Sequence, residues 1–207
     1  MSMQQEPQAW LEDLRAGDMQ ALAQLFEYYR PRLERMVWSR MGQEVASRFD
    51  AADVLQEAYL DATRQISGYL HDARVEVYVW LRSLTWQRLL KFREQHVEAQ
   101  RRSVRREAAP PATSSFIALV QLLATGTSPS QAAVRGEVRT QLEAGLATLP
   151  EADREILVLR HYEDLTNHEA AQVLGISDSA ATMRYGRALF RLKAQMQNES
   201  NQGGERT

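Results

Sequence analysis

The chain has 207 residues, 44% of them hydrophobic and 25% charged, with no cysteine and a formal net charge of −2. Without cysteine there is no disulfide framework, no thiolate catalysis and no cysteine-ligated zinc. No apolar run approaches the roughly 20 residues that span a bilayer. Met1 to Trp10 lacks the basic start and apolar core of a secretory signal, so a soluble cytoplasmic protein is expected.

Leu and Ala dominate and β-branched runs are scarce, which predicts an all-α fold. Leu11, Leu14, Leu22, Leu25 and Phe26 recur at helical spacing, with Gly17-Asp18 as a break between two helices. A further helix is expected from Pro31, with Leu33, Met36 and Val37 inward. Pro31 can sit in its first turn or kink a longer helix. Asp50 to Ile66 is amphipathic through Val54, Leu55, Ala58, Tyr59 and Ala62, and Ser67-Gly68 is expected to end it. A polar loop to about Val75 leads into Val77 to Phe92, which is dense in aromatic residues.

From Glu107 to Ser130 the composition changes to linker chemistry, with Pro110-Pro111, Thr113-Ser114-Ser115 and Gly126-Thr127-Ser128-Pro129. Inside it, Phe116 to Leu123 is apolar and either docks elsewhere or covers one domain's core. Helix is expected again from Ser128 to about Thr148. Leu149-Pro150 breaks it, and Glu151 to His161 forms the next helix. Two small helical domains follow, 8–106 and 128–197, joined by a flexible linker over 107–127 and followed by a disordered tail over 198–207.

Thr166 and Glu169 have the spacing of a capping box, so a helix is predicted to start at Asn167. Gly175 stands where a helix ends on a left-handed residue. Ser177 or Asp178 can cap a second helix, which carries Arg184, Arg187, Arg191 and Lys193 and no acid between Ser179 and Met196. This is the helix-turn-helix layout, whose second helix enters the DNA major groove. Charge is also distributed in blocks. Residues 49–80 are net −4, 81–106 net +6, 151–178 net −5, and 179–207 net +3. Such alternation suggests two basic surfaces for phosphate and two acidic surfaces for another partner.

Two stretches carry a family resemblance. Asp53-Val54-Leu55-Gln56-Glu57-Ala58-Tyr59-Leu60 resembles the acidic helix of bacterial sigma-70-type initiation factors. Leu149-Pro150, Arg154-Glu155, Leu157-Val158-Leu159-Arg160 and Leu174-Gly175-Ile176-Ser177 resemble that family's C-terminal domain. With two domains and a short tether the chain is similar to the extracytoplasmic-function (ECF) branch. The resemblance implies an initiation factor that binds core RNA polymerase, at the β′ clamp and β flap, and recognises and melts promoter DNA. An anti-sigma partner is a further family expectation.

On this resemblance Asp53, Gln56 and Glu57 match the polymerase-binding motif. Gly68 to Val75 and the following helix match the parts that handle the melted minus-ten strand. Arg74, Arg82, Trp86, Gln87, Arg88, Lys91 and Arg93 are its candidate contacts, with Trp86 either stacking on a base or packed. Trp80 reads as core. Trp86-Gln87 replaces what is often a basic residue and Asn. Arg101, Arg102, Arg105 and Arg106 are either duplex-phosphate contacts or a solvated helix end. At the minus-thirty-five side the candidates are Ser179, Ala180, Thr182, Met183, Arg184 and Arg187, the two arginines serving phosphate or guanine. Ala180-Ala181 and Thr182 depart from the frequent Thr-Val and Lys. Gly186 either permits close backbone approach or is tolerated.

Enzyme readings find little support. His168-Glu169-Ala170-Ala171-Gln172 lacks the second His of a zincin, His161 and His168 lack a third ligand, and no Gly-rich phosphate loop with Lys occurs. No catalytic residue, metal or cofactor is expected. The rivals are a stand-alone helix-turn-helix regulator of duplex DNA and a helical adaptor that does not touch DNA.

Overall fold

The computed structural model describes residues 5–40, 50–97, 142 and 144–204. The chain divides into two units, Met1–Pro111 and Ala112–Thr207. Phe116 to Leu123, Arg101 to Arg106 and most of the helix expected from Ser128 lie outside the described residues. All regular structure among the described residues is helical.

The first unit holds α1 (Gln5–Arg15), α2 (Gln20–Arg40), α3 (Ala51–His71) and α4 (Val77–Val97). The break at Gly17-Asp18 is present, with Gly17 at φ +98° and the Asp18 carboxylate accepting from the Gln20 N–H at 2.9 Å. Of the two places open to Pro31, the structure takes the longer helix: one continuous α2, with Pro31 inside it and exposed. Proline removes one backbone donor, and an exposed position lets solvent reach the carbonyl left over. Helices α2, α3 and α4 pack on one another and α1 packs on α2. Their shared core includes Leu25, Phe26, Leu33, Met36, Leu55, Ala58, Ile66, Tyr78, Leu81 and Leu89.

α3 begins where the amphipathic pattern does, with Asp50 as its cap. The Asp50 carboxylate accepts from the Ala52 N–H, and the Asp53 carboxylate reaches back to the Asp50 N–H at 3.4 Å, giving a capping box. Its end departs from expectation, for the helix runs past Ser67-Gly68 to His71. The reason is tertiary. Tyr69 stacks on Trp80 of α4, with centroids 4.5 Å apart and planes at 17°, and its hydroxyl donates to the Val75 carbonyl at 3.0 Å. One Gly inside a helix costs about 1 kcal/mol, which these contacts offset.

In the second unit residues 144–148 are helical, followed by α5 (Glu151–His161), α6 (Asn167–Leu174) and α7 (Asp178–Gly204). The break at Leu149-Pro150 is where the sequence places it. α7 continues to Gly204, beyond residue 197, where its end was expected. Helix α7 packs on α5 and α6 through Ala181, Ala188, Leu192 and Met196. Gly145 lies so close to α7 that a Cβ there would meet Leu192 Cδ1 at 3.0 Å.

Candidate nucleic-acid interface

The helix-turn-helix is built by local chemistry. The Thr166 hydroxyl accepts from the Glu169 N–H at 3.1 Å while the Glu169 carboxylate accepts from the Thr166 N–H at 2.7 Å. Gly175 closes α6 in the left-handed conformation, φ +63° and ψ +34°, and its N–H bonds back to carbonyls of α6. Of the two caps open to α7, Ser177 takes the role, its hydroxyl accepting from the Ala180 N–H at 3.2 Å. Asp178 begins the helix and is tied to α6, with its carboxylate 3.0 Å from His168 Nδ1 and its carbonyl accepting from Asn167 Nδ2 at 3.0 Å.

α7 is held from its other side. Arg191 pairs with Asp153, a carboxylate buried on α5. His161 Nε2 lies 2.9 Å from the Tyr185 hydroxyl, and the two rings stack 5.6 Å apart. Burial raises the Tyr185 phenol above its ordinary pKa, opposed by nearby Arg160. The helix therefore turns Ala181, Tyr185, Ala188 and Leu192 toward α5 and α6. Its opposite side presents Ser179, Met183, Gly186, Arg187 and Phe190 to solvent. Thr182 is exposed, with its hydroxyl donating to the Asp178 carbonyl at 3.0 Å, and Ala180 and Arg184 are half-buried at the edge. Phe190, 76% exposed, went unnoticed in the sequence, although it lies seven residues from Met183 and so on nearly the same face.

In the first unit, Asp53, Gln56 and Glu57 share one side of α3 at i, i+3 and i+4. Asp53 and Gln56 are exposed and Glu57 partly so. Of the minus-ten candidates, Arg74, Gln87, Lys91 and Arg93 are exposed. Arg74 forms an ion pair with Asp72 at 2.7 Å inside the α3–α4 loop.

Three candidates are placed otherwise. Arg82 is only 6% exposed, so its side chain belongs to the interior of the unit rather than to a strand-binding surface. Arg88 is occupied, since its guanidinium makes two hydrogen bonds to Asp61 of α3 and lies 3.3 Å from the Glu57 carboxylate. That bidentate bond holds the Asp61 carboxyl below the ordinary carboxylate range, against the opposing effect of burial. Trp86 is half-buried, with the Arg40 guanidinium 5.7 Å from the ring centroid. Among the described residues no group of three or more His, Asp or Glu side chains is arranged to hold a metal ion.

Comparison with known proteins gives this geometry a family. Residues 145–194, which span the helix-turn-helix, match the family "Sigma-70, region 4". The ECF RNA polymerase sigma factor SigD of Mycobacterium tuberculosis is 30% identical over 86% of this chain and 78% of its own length. The ECF RNA polymerase sigma factor SigW of Bacillus subtilis is 22% identical over 91% of this chain and 95% of its own. The fold is similar to that of CnrH solved in complex with the cytosolic domain of CnrY, with a TM-score of 0.55, 20% identity and coverage of 93% of this chain and 98% of that one. The kinship runs through most of the chain, and the protein belongs to the ECF RNA polymerase sigma factors of the sigma-70 family.

Proposed function

We propose that this sigma factor divides its work between its two units. The first holds RNA polymerase through Asp53, Gln56 and Glu57 on α3 and meets the minus-ten strand through Arg74, Gln87, Lys91 and Arg93. The second reads the minus-thirty-five duplex through Ser179, Ala180, Thr182, Met183, Arg184 and Arg187. The observation that carries the reading is the outward side of α7, which presents polar, apolar and cationic side chains beyond a capped turn. Phosphate contacts by cations position such a helix, and side chains near its N-terminus meet the bases. Trp86 is half-buried, and a base stacking on it would share the ring with the Arg40 guanidinium, 5.7 Å from its centroid. RNA synthesis itself belongs to the polymerase, so none of these residues needs to be catalytic. A stand-alone regulator would leave the exposed acidic turn of α3 without a purpose, and the family membership speaks against it.

Co-elution with bacterial core RNA polymerase tests the first assignment. Asp53 also caps α3, so Asp53→Asn, which keeps an acceptor oxygen, is combined with Gln56→Ala. Wild type is expected to co-elute stoichiometrically and the double variant to lose most of that association while remaining folded. Equal co-elution of the two proteins would remove Asp53 and Gln56 from the polymerase contact.

A further inference from the structure

Two features of α7 have no explanation inside the chain. Met183 is 72% exposed on the outward side of the helix, so its apolar side chain is left largely in water. One turn further on, Gly186 interrupts a helix of 27 residues at an exposed position. A Cβ built there would meet nothing within 4 Å, and the backbone is not in the left-handed region. Neither packing nor conformation requires glycine, yet an interior helical glycine weakens the helix relative to alanine. The space above Gly186 is therefore open to something that approaches from outside.

The surroundings identify that visitor. Exposed Arg187 adjoins Gly186 and exposed Lys193 lies two turns along, which suits phosphate on a neighbouring strand. Met183 lies within the first two turns of α7, the part of a recognition helix that reaches base edges. Base edges in the major groove are donors and acceptors with one exception, the C5-methyl group of thymine. A thioether makes only weak hydrogen bonds, but it is flexible and polarisable and packs well on a small apolar group.

We propose that Met183 reads a thymine methyl in the major groove of the minus-thirty-five duplex, and that Gly186 is bare so that α7 can lie close enough for that contact. This rests on the reading of α7 as the duplex-binding helix and adds the chemical group that it selects. Specificity at this position then comes from apolar contact, alongside whatever Arg184 and Arg187 contribute.

The experiment uses the holoenzyme and duplexes that it selects from a random pool. Each thymine of the minus-thirty-five element is replaced in turn by deoxyuridine, which removes only the methyl group. At one position wild-type affinity is expected to fall about fourfold, the equivalent of about 0.8 kcal/mol for one buried methyl. Met183→Ala should bind the unmodified duplex more weakly and show no further loss with deoxyuridine. Phe190→Ala, which alters the neighbouring exposed apolar residue, should keep the full deoxyuridine penalty. Gly186→Ala should raise the thermal midpoint of the protein and lower promoter affinity about tenfold. Indifference to demethylation at every thymine, or a penalty that persists in Met183→Ala, would overturn the reading of Met183. Wild-type affinity in Gly186→Ala would overturn the close approach. A wild-type chain that forms no promoter-binding complex with core polymerase would instead overturn the underlying function.

Discussion

At the scale of single residues, burial and pairing separate cations that look alike in the sequence. Arg82, Arg88, Lys91 and Arg93 occupy one basic run, but only the last two face water. Arg88 lies between α4 and α3, where its bidentate bond to Asp61 crosses 27 positions of sequence. The side chains of Arg88 and Asp61 are 20% and 13% exposed, so this bond is screened less than a surface pair. Asp61→Asn is expected to destabilise the protein by about 1–3 kcal/mol at neutral pH, measured by urea denaturation. The folded-state pKa of Asp61 is depressed, so its stabilisation is present above the unfolded value, near 3.8, and is lost as pH falls through the lower folded value. The difference between wild type and Asp61→Asn should therefore shrink in strong acid. A difference that grows on acidification would contradict this assignment.

At the scale of elements, the ends of helices divide into two kinds. Those in the second unit follow local chemistry, and they were legible. The Thr166–Glu169 capping box, the Gly175 stop, the Ser177 cap and the break before Glu151 all stand where residue types place them. Gly175 adopts a conformation that costs an L-residue about 1–2 kcal/mol. Gly175→Ala should destabilise the protein by about that amount in thermal or urea unfolding, and Gly175→Asn by less, because Asn tolerates this region. Equal stabilities would show that the turn does not need its left-handed residue. In the first unit the reading of ends was poorer. Ser67-Gly68 is a breaker by type, but α3 passes through it, and at Pro31 the longer helix of the two readings is the one formed. At Pro31 exposure removes part of the penalty. At Gly68 the Tyr69–Trp80 stack and the Tyr69 hydroxyl bond to Val75 carry the helix a further turn. Burial of that hydroxyl pushes its pKa up to about 12, so it remains a donor throughout the neutral range.

At the scale of the whole molecule, a net charge of −2 conceals the distribution that matters. Acids face outward on α3 at Asp53 and on α5 at Glu151, while α7 turns Arg187 and Lys193 to solvent. A factor that meets DNA as part of a polymerase complex does not have to attract the duplex by its own net charge. Promoter binding by the holoenzyme should weaken with salt, and Arg187→Ala should reduce the slope of log affinity against log salt by about 1. A measured slope identical to wild type would take Arg187 off the phosphate backbone.

The sequence by itself determined the helical class, the partition into two helical regions, the turn of the second unit and the kind of partner that α7 suits. Those features depend on residues three or four apart, and local hydrogen bonds and backbone preferences act over that range. Tertiary structure alone decided how the candidate side chains were divided between the interior and water. It buried Arg82, committed Arg88 to Asp61, brought Arg40 to 5.7 Å from the Trp86 ring centroid, and left Phe190 in water. The spacing of residues along one helix gives the face that tends inward, but how far each side chain is buried or paired depends on what another helix brings across the gap.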